Sequence, residues 1–243
     1  MRLDDWLAHQ QAQHPNAIEL GLDRVLAVAT RLGILPWRIP SVIVGGTNGK
    51  GSTVAYLTAL ARHSGLRVGT YTSPHLQRYN ERIAIDGAPI LDESLIALFE
   101  RIEAARHGVA LTFFEYGTLA AYLAFIEAKV DIAIIEVGLG GRLDATNIID
   151  ADVAVLTSVG LDHMEWLGPT REEIGREKAG IFRAGSPVVL GSQDMPQSVH
   201  EALRIFDCQA IWPPEDWSAI PETALSGPVQ RLNAAAAISA FEA

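Results

Sequence analysis

The apolar run Val42-Ile43-Val44 leads directly into Gly45-Gly46-Thr47-Asn48-Gly49-Lys50-Gly51-Ser52, and a helix-like run follows from Thr53 to Arg62. Strand, glycine-rich turn and helix in that order constrain the fold to an α/β sheet with a phosphate cradle at a strand end. Glycines let backbone N–H groups converge on one anion because no Cβ blocks the approach. Lys50 adds a mobile positive charge for terminal phosphates, and Ser52 or Thr53 offers a hydroxyl to Mg²⁺. The spacing departs from G-x-x-x-x-G-K-[ST]: Val44 stands six before Lys50, and Gly51 separates Lys50 from Ser52. The variant Gly-Thr-Asn-Gly-Lys-Gly-Ser is itself a signature.

The rest of the chain alternates in the same way. Residues 3–14 and 21–32 read as helices, the second with Leu22, Val25, Leu26, Ala29 and Leu32 at helical spacing before Gly33. Strands are expected at 41–45, 67–71, 131–137, 153–158 and 187–190, and helices at 92–106, 115–129 and 196–206. The 115–129 helix places Leu119, Leu123 and Ile126 on one face. Asp86-Gly87 signals a hairpin between 82–85 and 88–90, and Thr170 with Glu173 forms a capping box opening a helix to about Gly180. Continuous apolar strands such as 131–137 suit a parallel sheet covered on both faces. The expected architecture is α/β: a doubly wound, mostly parallel sheet of P-loop type with a small hairpin element. It divides into N-terminal helices (1–40), a core (41–206), an irregular connector (207–229) with Pro213, Pro214, Pro221 and Pro228, and an alanine-rich terminal helix (230–243).

Bulk properties narrow the function classes. Of 243 residues, 49% are hydrophobic, enough for a substantial core. The net charge of −10, without a long basic run, argues against nucleic acid as a partner. Cys208 is the single cysteine, which excludes an internal disulfide and a cysteine-based zinc site. No apolar run approaches the ~18 residues of a membrane span, and Met1 to Trp6 lacks a signal-peptide core. A soluble, cytoplasmic protein with small-molecule substrates and no membrane partner is expected.

Glu136 closes the apolar run 132–135 and precedes Gly138-Leu139-Gly140-Gly141-Arg142. An acid at a strand's carboxyl end, beside a phosphate loop, suits Mg²⁺ coordination; the plainer alternative is an ion pair with Arg142. Asp162-His163 ends the next strand unit, where a metal-directed and a structural histidine are equally compatible with the position. Ser73, before Pro74, offers a hydroxyl ligand or simple turn chemistry. Lys178, near the end of its helix, needs no explanation beyond a surface lysine on residue type alone. The pair Phe113-Phe114 reads as core more readily than as a ligand platform.

These motifs together resemble the bacterial folylpolyglutamate synthases, in particular the bifunctional dihydrofolate synthase/folylpolyglutamate synthase type, which belong with the Mur ligases. The matches are Asp23-Arg24 after Leu20-Gly21-Leu22, Gly45 to Ser52, Tyr71 to Leu76, Asn80-Glu81-Arg82, Leu111 to Glu115, Glu136 to Asn147, Leu161-Asp162-His163 with Trp166-Leu167-Gly168, and Arg176 to Phe182. The resemblance implies that Thr47, Asn48, Gly49, Lys50, Gly51 and Ser52 bind ATP phosphates, with Asn233 contacting ATP from the last helix. It implies Mg²⁺, two ions in all, on Ser73, Glu136, His163 and a carboxylated Lys178. It implies a dihydropteroate site lined by Glu19, Leu20, Gly21, Leu22, Thr112, Phe113, Phe114, Glu115, Leu143, Asp144 and Ala145. Lys50, His163 and Lys178 are then the catalytic set.

The implied reaction is ATP-dependent amide formation between a pteroyl carboxylate and L-glutamate through an acyl phosphate, by a protein monomeric at full length. The family continues into a C-terminal α/β domain that carries an arginine for ATP and most of the glutamate site; this domain is absent here, so the chain alone is expected to lack turnover. A Mur-type ligase with another substrate and a nucleotide-binding module without turnover are the alternatives. A P-loop kinase or GTPase fits the loop spacing less well. The segments Thr112 to Glu115 and Leu143 to Ala145 argue against a cell-wall substrate.

Overall fold

A computed structural model of the chain describes residues 1–14, 18–213, 225 and 227–243. Short apolar runs become strands, and their register decides where the chemistry sits. β1 (Ser41–Gly45) pairs in parallel with β5 (Ile132–Glu136) on one side and β6 (Val153–Leu156) on the other. Val44 lies opposite Glu136, and Gly45 opposite Leu156. The three strands therefore end level, and the loops after them open on one edge of the sheet, where ligands bind in open α/β sheets.

β2 (Val68–Tyr71) extends the sheet beyond β5, and β3 (Ile83–Ile85) and β4 (Ala88–Pro89) add an antiparallel hairpin. Asp86 and Gly87 both take positive φ at its turn, 53° and 79°, as a two-residue hairpin requires. β7 (Pro187–Leu190) and β8 (Gln209–Ile211) complete the order β4-β3-β2-β5-β1-β6-β7-β8. The expected doubly wound α/β fold is what the chain adopts.

Alternate residues of β1 face different layers. Val42 and Val44 pack with Val54, Leu57 and Ala61 of α3 (Lys50–His63) and with Ala236, Ala237 and Ala240 of α9 (Pro228–Glu242). Ile43 turns to the other face, with Ile174 of α7 (Arg171–Lys178) and Val199 and Leu203 of α8 (Gln197–Ile205). Tyr71, Ala133 and Ile135 join a larger core with α1 (Leu3–Gln13), α2 (Asp23–Arg31), α4 (Asp92–Arg106) and α5 (Phe113–Ala128). Each fully buried Leu or Phe there contributes about 1.5–3 kcal/mol.

Five expectations change. α5 begins at Phe113, two residues early, because Thr112 caps it in a box with Glu115. Its burial runs almost all round from Glu115 to Phe125, and Ile126, expected on the core face, is 39% exposed. Small residues (Ala120, Ala121, Ala124) let neighbours close on the side that periodicity leaves open. The 207–229 stretch is not wholly irregular, since β8 pairs with β7; Pro214 and Pro221 lie outside the described residues. α9 starts at Pro228, where a missing N–H costs nothing at a helix start. The helix opened by Thr170 ends at Lys178 and tightens into a 3₁₀ turn, Ala179–Ile181. Among the described residues no helix is long and apolar enough to cross a membrane.

Candidate functional site

The phosphate loop is moulded by the strand end beside it. Thr47 N–H donates to Ser158 O (2.9 Å), and the Thr157 hydroxyl donates to Asn48 O (2.7 Å) and Gly45 O (3.1 Å). Gly46 has φ 144°, and a Cβ there would fall 1.9 Å from Thr157 Oγ1. Gly49, at φ 90°, ends the loop as the N-cap of α3, and a Cβ there would fall 2.4 Å from Asn233 Oδ1. α9 thus seats Asn233 directly against the loop. The N-terminus of α3 carries unpaired N–H groups and the positive end of its dipole, so the loop is built to hold an anion. Lys50 Nζ donates to Gly46 O (3.0 Å) and Thr47 O (3.4 Å) within its own loop. The Thr53 hydroxyl is spent on Gly49 O (3.0 Å), which leaves Ser52 as the hydroxyl available to a ligand.

Glu136 ends β5 beside this loop. The residue is 5% exposed, and its carboxylate accepts Ser73 N–H at 3.1 Å. Burial raises its pKa, opposed by that hydrogen bond and by the charge of Lys50. The pairing with Arg142 does not form, because Arg142 binds Glu177 (2.8 Å). His163 takes a left-handed conformation (φ 48°) as N-cap of α6 (Met164–Leu167), half-exposed and 3.7 Å from Asp162. Lys178 is no surface lysine: it is 4% exposed and donates to Gly46 O at 3.1 Å, the same carbonyl that Lys50 uses. Burial, with the repulsion of Lys50, lowers its pKa to about 8. Among the described residues no three His, Cys, Asp or Glu side chains form a metal cluster.

A cavity of about 350 Å³ opens next to Lys50, Ser73 and His163. Glu19, Leu20, Gly21, Thr112, Phe114, Glu115, Leu143, Asp144 and Ala145 line it. Three segments distant in sequence therefore meet on one void. Leu22 and Phe113 do not line it: both pack against the core, and the Phe113 ring lies edge-on to Tyr79 at 5.3 Å. Arg24 fastens two of the walls together, donating from Nε to Glu115 (3.2 Å) and from Nη2 to Glu19 O (2.8 Å). Asp144 is buried and accepts from Leu139 N–H (2.8 Å), Thr146 N–H (2.9 Å) and the Thr146 hydroxyl (2.6 Å), fixing the third wall. Sequence reasoning left Ile18, Pro74, Arg82, Gly138 and Leu139 out of the lining. Pro74, Arg82, Gly138 and Leu139 stand inside motifs already singled out, and Ile18 is next to one; none had been given a role in the lining.

Known proteins resemble the chain in sequence and in fold. The Mur ligase middle domain matches residues 44–211. The Escherichia coli (strain K12) dihydrofolate synthase/folylpolyglutamate synthase is 51% identical over 202 residues, covering 83% of this chain and 48% of that protein. The solved structure of E. coli FolC in complex with DHPP and ADP superposes with a TM-score of 0.94 at 41% identity, over 100% of this chain and 62% of the other. A bifunctional folylpolyglutamate synthase/dihydrofolate synthase with Mn, AMPPNP and L-glutamate bound gives 0.88 at 44% identity, over 100% and 62%. The chain spans about half the length of the curated relatives it matches.

Proposed function

The chain belongs to the Mur ligase family, and from that premise we propose that it carries the ATP and acid-substrate half of an ATP-dependent ligase that joins L-glutamate to dihydropteroate and to folates. The observation that carries the reading is the adjacency of a largely apolar cavity, with Phe114 on its wall, to a phosphate loop, with Lys50, Ser73 and His163 on the shared wall. A nucleotide-binding module without turnover has no use for that cavity. The relative solved in complex with DHPP and ADP holds a second small molecule as well as a nucleotide, which supports the reading.

A carboxylate is a poor acyl donor because oxide is a poor leaving group. In the proposed reaction a carboxylate oxygen attacks the γ-phosphorus of ATP, ADP leaves, and an acyl phosphate results. The amine of glutamate then attacks the acyl carbon and phosphate leaves, giving the amide. The chain's part is positioning and charge neutralisation. Loop residues 47–52 and the α3 N-terminus hold the phosphates; Lys50 exchanges its own loop's carbonyls for them; Asn233 supports the nucleotide from α9. Phe114 and the walls fixed by Arg24 and Asp144 hold the pterin and its benzoate.

Mg²⁺ fits the residues present. Glu136 is a buried carboxylate held by one backbone N–H, an anion short of a cation, and Mg²⁺ is commonly bound by one or two carboxylates plus substrate phosphates. Ser73, Glu136 and His163 would hold it, and when bound it neutralises charge on the phosphates. Lys178 sits where an amine with a lowered pKa is partly neutral near physiological pH, the form that captures CO₂ with loss of a proton. As a carbamate it would offer hard oxygens to a second Mg²⁺. The ATP requirement accords with the cytoplasm. The test is ADP release dependent on both dihydropteroate and glutamate, measured on a chain extended to its relatives' length, with tetrahydrofolate as the alternative acceptor. Turnover without either substrate contradicts the reading.

A further inference from the structure

The cavity wall carries a guanidinium to which this reading gives no role. Arg82 closes the 3₁₀ turn Tyr79–Arg82 and lines the same cavity as Ser73 and Thr112, yet it is only 9% exposed. Its plane is held in place: Nε donates to His75 Nδ1 at 2.8 Å, and the Tyr79 and Phe113 rings lie 5.3 and 5.6 Å from Cζ. Among the described residues no carboxylate pairs with it. The acids around it are spent elsewhere. Glu81 accepts from the backbone N–H groups of Leu76, Gln77 and Arg78. Glu115 holds Arg24 and Thr112 N–H, and Glu136 accepts Ser73 N–H. A charge buried to nine-tenths is normally paired, since desolvation without an opposite charge is costly. Here the rings and the imidazole fix the group, the Tyr71 hydroxyl takes part of its donor capacity, and the terminal N–H groups that remain can meet an anion.

We propose that Arg82 receives the carboxylate of the acid substrate and holds it beside the phosphate loop. The inference rests on the ligase reading and deepens it by naming the group that recognises the reacting acid. A planar fork matches a carboxylate through two parallel N–H bonds, which fixes its orientation as well as its position. Lys50 lines the same cavity but is committed to the carbonyls of its own loop, so orientation of the ionised acid and its selection over a neutral isostere fall mainly to Arg82, with Lys50 adding attraction.

The experiment is equilibrium binding of dihydropteroate and of its carboxamide analogue to this chain and to Arg82→Gln and Arg82→Lys, with MgATP binding measured in parallel. The expected result is that the unsubstituted chain prefers the carboxylate. Arg82→Gln reduces that preference about tenfold or more by weakening carboxylate binding alone, and Arg82→Lys keeps part of it. Carboxamide and MgATP affinities stay unchanged, which also shows that the cavity remains folded. Equal weakening of both pteroyl ligands would assign Arg82 a purely structural role, and weakening of MgATP instead would assign it to the nucleotide; either overturns the proposal and leaves the ligase reading standing. Failure of the unsubstituted chain to bind either pteroyl compound would overturn both.

Discussion

Lys178→Met is expected to make the protein more stable while removing the ligase chemistry. The Lys178 ammonium is buried, and its displacement from 10.5 to about 8 is caused first by desolvation and then by Lys50. Below pH 8 the group is charged in both folded and unfolded chains, so the folded state bears the whole cost, about 3 kcal/mol. Methionine matches the stem in length and removes the charge. The hydrogen bond lost is the one to Gly46 O, and that carbonyl keeps Lys50 Nζ at 3.0 Å, so the offset is about 1 kcal/mol. The net gain at pH 7 is then about 2 kcal/mol. The sign with pH follows from the lowered pKa. Between pH 8 and 10.5 the unfolded chain binds the proton and the folded chain does not, so wild-type stability rises with pH across that window. The residual cost falls below about 1 kcal/mol at pH 10, and the advantage of Lys178→Met disappears there. Urea unfolding of both proteins at pH 7 and pH 10, in CO₂-depleted buffer, measures the difference. A variant less stable at pH 7, or a difference that does not change with pH, would refute the buried-cation argument.

Lys50→Ala removes the loop's mobile cation, and calorimetry should show MgATP affinity falling by a factor of ten or more, about 1.4 kcal/mol or above. Glu136→Gln keeps size and removes charge: Mg²⁺-dependent nucleotide binding should weaken while Mg²⁺-free binding changes little, and equal effects with and without metal would take Glu136 out of the metal's surroundings. Gly49→Ala forces a Cβ against Asn233 at a φ of 90°; a thermal melt should show a loss of about 1–3 kcal/mol, and an unchanged melting temperature would contradict the tight seating of α9 on the loop.

The central strands were legible because a strand covered on both faces must be apolar throughout, as Val42 to Val44 and Ile132 to Ile135 are. Glu136 stood out as the first charge after such a run, and register alone then brings it level with the phosphate loop. Lys178 stood out through the family resemblance alone, not by residue type. Its burial comes from the tight turn at Ala179–Ile181, which tucks the helix end under Gly46, and nothing local in the sequence marks that. Arg82 stands in a motif, Asn80-Glu81-Arg82, that the family resemblance marks without giving it a role; only the 3₁₀ turn and the aromatic rings from α5 and its own turn draw it inside. β8 escaped notice because three residues are too few to show a period of two. The all-round burial of α5 was hidden by alanines, which a hydrophobic pattern does not distinguish from an exposed face.

The central claim is that this site activates a carboxylate by phosphorylation. Dihydropteroate labelled with ¹⁸O in its carboxylate, incubated with ATP, Mg²⁺ and glutamate and a chain extended to the relatives' length, tests it directly by mass spectrometry of the released phosphate. One ¹⁸O transferred to inorganic phosphate for each amide formed, with ADP as the nucleotide product, is the expected result. Label appearing in AMP, or phosphate released without label, would contradict the account.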